Sequence, residues 1–300
     1  MTRLIVLNMS VLILLVLSGC SGSPPKQAEA PTEQASLDRS ARLAFDQGRY
    51  DQAASLYDAT LQAALKEDAA QAIVDARFNL ALCRMYQGKY AQALDQLTRA
   101  EAERVRRALS GDGSIGLLVA TVRYRQGDLM QAATTIDRVL ADASTSPATL
   151  SKARFIAGLI AADSGDAAAL QRHRVAIDDA ASAGTAADRL ELAALLDGLQ
   201  GNTASALTQL DQVALARRIE RDYRGMVRAL AKASDVAAAA SQLQAAGRYL
   251  LRAGRSALQF GEPDAKHWLQ RAASLATQAG DGETAREALM LLDSPVTPAQ

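Results

Sequence analysis

Residues 76–100 read Ala-Arg-Phe-Asn-Leu-Ala-Leu-Cys-Arg-Met-Tyr-Gln-Gly-Lys-Tyr-Ala-Gln-Ala-Leu-Asp-Gln-Leu-Thr-Arg-Ala. Two helical stretches hinge on Gln87-Gly88. The first carries a dense apolar run, Phe78 to Leu82 with Asn79 inside it. The second places Tyr90, Ala93, Leu97 and Ala100 three, four and three residues apart, on one helical face. Glycine ends the first helix where a left-handed or tight conformation is needed. Alanine at the crossing lets two backbones approach, and a Leu or aromatic one helical face later fills the gap.

The pattern repeats on both sides of this stretch. A polar residue followed by Gly recurs at Gln47-Gly48, Gln87-Gly88, Gln126-Gly127, Ser164-Gly165 and Gln200-Gly201, spaced 40, 39, 38 and 36. Gly48 is followed by Tyr50, Ala53, Tyr57 and Leu61, Gly127 by Leu129, Ala132, Ile136 and Leu140, and Gly201 by Ala206 and Leu210. Leu170 replaces the expected Ala after Gly165. Further on, the spacing puts a turn at Ser234 and another at Gly261, with Ala265, Leu269 and Ala272 fitting only if one residue is deleted.

On these residues the chain resembles the tetratricopeptide repeat (TPR), two antiparallel helices with small residues where they cross and a Gly in the turn. Residues 76–100 match best, through Asn79, Leu80, Ala81, Gln87-Gly88, Tyr90, Ala93 and Ala100; 41–61 and 117–140 follow. The proline that usually closes a unit is absent nearly throughout, and spacings above the ~34 of that family leave a related helix-pair solenoid open. The expected fold is all-α: a right-handed α-solenoid of six or seven helix pairs over residues 37–293, each burying a face against its neighbours. The resemblance also implies that first-helix side chains line a peptide-receiving groove. The matching positions include Phe45, Phe78, Met85, Tyr86, Tyr124 and Arg125; Phe78 reads more simply as core, and Tyr86 and Tyr124, with polar tips, are the stronger anchors.

Composition agrees with this class. The chain is Ala-rich, only 4% aromatic, and balanced at 33 Lys+Arg against 33 Asp+Glu. Ala is the best helix former and suits close packing through shallow contacts. Balanced charge offers no global field toward nucleic acid or an anionic bilayer, so nucleic acid is not an expected partner.

The amino terminus carries an address. Arg3 precedes an apolar run from Leu4 to Leu17, interrupted only by Asn8 and Ser10. Fourteen residues rise about 21 Å as a helix, short of the roughly 30 Å hydrocarbon core, so a cleaved signal fits better than a membrane span. Leu17-Ser18-Gly19-Cys20 then resembles the lipobox of bacterial lipoproteins. The resemblance implies a signal peptide at 1–19 and acyl chains, such as palmitate, on a new terminus at Cys20. Ser21, where an Asp favours inner-membrane retention, points to the outer membrane and the periplasm. Residues 20–36 hold three prolines and almost nothing to bury, so they read as a flexible linker, and 294–300 reads as a disordered tail. If Cys20 carries lipid, Cys83 is the only other thiol and no intramolecular disulfide forms; its apolar surroundings mark it as a small buried hydrophobe.

Few residues suggest chemistry. Gly111-Asp112-Gly113-Ser114-Ile115-Gly116 fits G-x-G-x-x-G, but follows the helical segment Glu101–Leu109 rather than a strand, so it reads as a loop between two units. His173 and His267 lie nearly a hundred residues apart without cysteine neighbours, and no zinc site follows from them. No catalytic residues, metal or cofactor are expected, and the chain does not read as an enzyme.

The remaining feature is basic. Arg217, Arg221, Arg224 and Arg228 are spaced 4, 3 and 4, with Lys232 four further on, which reads as one cationic stripe of one helix; Arg248, Arg252 and Arg255 repeat the spacing later. From 215 to 255 nine Lys+Arg face three acidic residues, a local +6. Such stripes serve as docking faces for acidic peptides or anionic polymers, or else as solvated faces and ion pairs with an adjacent unit. Together these features point to a membrane-anchored scaffold for protein partners of the cell envelope. The alternative is a module that binds an anionic glycan or lipid headgroup through the Arg stripes at 217–255.

Overall fold

A computed structural model describes residues 32–179 and 186–293. Among them every element is an α-helix, fourteen in all, and they pair in chain order. The pairs are α1 (Glu33–Asp46) with α2 (Tyr50–Lys66), α3 (Ala70–Tyr86) with α4 (Tyr90–Arg106), and α5 (Ser114–Arg125) with α6 (Leu129–Ala141). Next come α7 (Pro147–Asp163) with α8 (Ala167–Asp179) and α9 (Ala186–Leu199) with α10 (Thr203–Ile219). The last two are α11 (Tyr223–Ala239) with α12 (Leu243–Gln259) and α13 (Ala265–Gln278) with α14 (Gly282–Asp293). The fold is an all-α solenoid of seven pairs. All substantial packing joins helices one or two places apart in the chain, the quasi-one-dimensional arrangement of repeat proteins.

Each turn within a pair is built alike. At Gly88, φ is +72°; its N–H donates to Met85 O and the N–H of Lys89 to Arg84 O, at 3.0 and 2.9 Å. That is the Schellman pattern, in which one left-handed residue lets two amides recover the last helical carbonyls. Five residues past the turns stand Ala53, Ala93, Ala132, Leu170, Ala206, Ala246 and Ala285, all buried. Nine past them, Tyr57, Leu97, Ile136, Leu210 and Leu250 fill the space between helices and are at most 3% exposed.

This register corrects the sequence expectation in its second half. Ser234 is not a turn residue; it is fully buried inside α11. The turn of the sixth pair is at Ser241, 40 residues after Gly201, and Gly280 follows 39 later. Ser241 adopts the left-handed conformation without being glycine, with φ +60°. Gly261 is also left-handed but connects α12 to α13, between pairs. No deletion is needed once Ser241 is placed.

One boundary also moves. α1 begins at Glu33, capped by the Thr32 side chain accepting from Ala35 N at 3.2 Å, so the array starts inside the stretch expected as linker. Cys83 is buried and free, with burial pushing its thiol up to about 12, in keeping with a small hydrophobe. The stretch expected as a signal peptide, Cys20 and residues 294–300 lie outside the described residues. No helix among those described is long and apolar enough to cross a membrane.

Candidate functional site

The odd-numbered helices α3, α5, α7, α9 and α11 pack side by side and form an inner surface. Near its start, Phe45, Tyr50 and Tyr86 gather, with ring centroids 5.1–5.5 Å apart. Tyr50 opens α2 just past the Gly48 turn, and Tyr86 closes α3 just before the Gly88 turn, so two turns set these rings together. Tyr86 thus packs in company with Tyr50 and Phe45.

A cation from far along the chain completes the group. The Arg224 guanidinium lies over both Tyr86 and Tyr50, 3.7 and 4.3 Å from their centroids, and its Nη1 donates to the Tyr50 hydroxyl at 2.6 Å. Its Nε donates to the Glu262 carboxylate. Arg125 approaches from α5, 5.2 Å from the Tyr86 centroid and 3.9 Å from Glu262 Oε2. Cation–π contacts of this kind contribute about 2 kcal/mol when desolvated. Burial opposes the charge on Arg224, but Glu262, helped by Tyr50 and Tyr86, more than offsets it, so the pKa sits above the ordinary arginine value. Burial likewise raises Tyr50, against the pull of Arg224.

A second cluster lies further along the same surface. Glu191 is fully buried and accepts from Arg228 Nε and Nη2 at 2.7 and 2.8 Å and from Arg217 Nη2 at 3.0 Å. Both guanidinium groups lie over the Phe155 ring, at 5.2 and 5.7 Å. Arg217 also pairs with Asp188 and Asp222. A third link joins Lys232 to Asp163, which also accepts from the Tyr124 hydroxyl at 2.7 Å. Burial, then the Asp163 charge, raises the Tyr124 hydroxyl well above its ordinary pKa.

The cationic stripe is thus not one stripe of one helix. Arg217 lies in the last turn of α10 and is 5% exposed; Arg221 sits in the turn that follows, left-handed at φ +61° and exposed; only Arg224, Arg228 and Lys232 share α11. Those three face the inner surface and pair with acidic side chains of this chain. Arg248, Arg252 and Arg255 lie on α12, half-exposed, paired with Asp281, Asp211 and Glu287. They form no common face with the α11 cations. Of the other groove residues offered, Met85 is buried in the core behind the inner surface, and Phe78 packs half-buried against that core.

A cleft of about 810 Å³ opens elsewhere, between the second and third pairs, lined by Asp75, Phe78, Glu101, Arg104, Ile115 and Arg138. The G-x-G-x-x-G loop forms its rim as the link between α4 and α5, and its glycines answer to packing. Gly113 has φ +79° and a Cβ there would lie 2.7 Å from Thr145 Oγ1; one at Gly116 would lie 2.7 Å from Val139 Cγ2. Those contacts explain the glycines without a phosphate. Among the described residues no cluster of His, Cys, Asp or Glu is arranged to hold a metal ion.

Sequence reasoning missed Tyr50, Phe155, Asp163, Glu191 and Glu262 as members of this surface. A signal for most of them exists. Arg224 and Glu262 are 38 residues apart, Arg228 and Glu191 37, Tyr124 and Asp163 39: one repeat period each. Complementary polar residues one period apart land side by side on neighbouring pairs.

No protein-family model and no curated protein matches the chain. Solved structures do. A tetratricopeptide repeat protein from Parabacteroides merdae ATCC 43184 superposes with a TM-score of 0.51 at 16% identity, covering 87% of this chain and 99% of that one. A Rap protein complexed with Competence and Sporulation Factor gives 0.61 at 13% identity, covering 86% of this chain and 73% of that one. At such identities the likeness establishes the fold, an α-solenoid of the tetratricopeptide type.

Proposed function

We propose that this chain is a lipid-anchored scaffold of the bacterial envelope, tethered through Cys20 to the periplasmic face of the outer membrane and receiving a protein partner on its inner surface. The observation that carries the binding half is the gathering of Tyr50, Tyr86, Arg125 and Arg224 from four different pairs. Tyr and Arg supply large anchoring area and directional donors, the residue types that dominate protein–protein contacts. A solved relative by fold, the Rap protein, is complexed with Competence and Sporulation Factor, so the architecture suits capture of another molecule. The anchoring half rests on Leu17-Ser18-Gly19-Cys20 at the end of an apolar signal. On this reading the chain works by binding and by location rather than by catalysis.

Crosslinking in cells tests it. The anchored protein should capture a reproducible envelope protein, and Tyr86→Ala with Arg125→Ala should lose that capture while helicity is kept. A Cys20→Ala form should be exported, fold normally and fail in the cell. Retained capture by the double variant would refute the surface assignment, and a working released form would refute the need for the anchor.

The anionic-ligand alternative draws no support from α11, whose Arg224, Arg228 and Lys232 already pair internally. It would have to rest on Arg221 and the α12 arginines. Binding of a glycan or lipid headgroup that falls steeply with salt would bring it back.

A further inference from the structure

A solenoid whose helices pack only on near neighbours has no intrinsic reason to bring its first pair against its sixth. The distance between them is the sum of small rotations over every intervening pair. Here they meet nonetheless. Arg224 reaches Tyr50 across 174 residues of chain, and Arg125 reaches Glu262 from the third pair. The turn glycine of the second pair lies so near the α12–α13 turn that a Cβ at Gly88 would stand 3.1 Å from Pro263. These ties are contacts between side chains and turns gathered about Arg224, without substantial helix packing beneath them. That guanidinium also keeps a buried donor, Nη2, without a protein acceptor, which weakens the closed arrangement.

We propose that the Arg224 clasp is a gate. Closed, it ties the first two pairs to α11 and to the α12–α13 turn and occupies the aromatic-cationic patch with the chain's own Glu262. Open, each interface between pairs relaxes slightly, the two walls part, and Tyr50, Tyr86, Arg125 and Arg224 become accessible together. Every pair keeps its own core in both states, because no residue of the clasp belongs to the Ala and Leu positions that hold a pair together. The gate exists whatever binds; only its use in admitting a partner rests on the scaffold reading above.

Two native lysines flank the closure. Lys89 follows Gly88 on one wall, Lys266 lies three residues past Pro263 on the other, and both are exposed. Amine-to-amine crosslinking of the full chain, read by mass spectrometry, should give a Lys89–Lys266 product. Its yield should fall severalfold in Arg224→Ala and in Glu262→Gln, with unchanged helical circular dichroism, and remain at the starting level in Arg221→Ala. Should Arg224→Ala fail to fold, the near-isosteric Glu262→Gln decides. Absence of the product in the unaltered chain, or full yield in both clasp variants, would overturn the gate. The scaffold reading fails on different results: retained capture by its double variant, or a working released Cys20→Ala form.

Discussion

The second and sixth pairs are built on the same plan and filled with different chemistry. Each consists of two 17-residue helices. Each buries an Ala and a Leu completely, Ala93 with Leu97 in one and Ala246 with Leu250 in the other, five and nine positions past the turn. Yet the second turns on Gly88 and the sixth on Ser241, both left-handed. The second pair offers the neutral Tyr86 to the inner surface, while the sixth offers three cations. The buried Ala and Leu therefore set the geometry of a pair. Glycine at the turn only removes a local penalty, and the inner face is free to vary.

The contrast between the two pairs is tested most severely at Glu191, where the charge of the sixth pair is buried. Glu191→Ala strands Arg228 and Arg217 without their shared carboxylate and should lower the unfolding free energy by about 3–5 kcal/mol, read from urea titration. A loss under 1 kcal/mol would mean that these arginines find other partners or water.

Leu97→Ala and Leu250→Ala should each cost about 2–5 kcal/mol, and by similar amounts, because both remove a fully buried side chain from the same place in a pair. A clearly smaller loss at Leu250 would show that the sixth pair depends on its ion pairs instead.

The two turns should respond with opposite signs. Gly88→Ala should destabilise by about 1–2 kcal/mol from the left-handed backbone alone, with further loss from crowding against Pro263. Ser241→Gly should stabilise by about 1 kcal/mol and raise Tm, since it supplies the residue the backbone already wants. At the small end, Arg252→Ala should change stability by less than about 1 kcal/mol, because its pairing with Asp211 is half-exposed.

Much of the fold was legible in the sequence because Gly48, Gly88 and Gly127 each stand in front of an unmistakable Ala and large apolar pair. The sixth unit was misplaced for a definite reason: its turn lacks the glycine that marks the others. Ala246 and Leu250 stand in register all the same, and it is they that identify the unit. The site was harder to see. Tyr86 and Tyr124 could be chosen by helix position, but their partners Tyr50 and Asp163 depend on how neighbouring pairs stack. The one-period spacing of Arg228 and Glu191 was available as a clue. The approach of Arg224 to Tyr50 was not, since it depends on the accumulated rotation of all the intervening pairs.

That long-range contact bears on how such a gene could grow. Tandem arrays usually lengthen or shorten by whole-unit duplication or loss, since each added unit meets the same neighbours as before. Here, inserting one unit between the fourth and fifth would leave every one-period pair named above intact and carry Tyr50 out of reach of Arg224. The closure counts units, and a lineage that keeps it is held to this copy number.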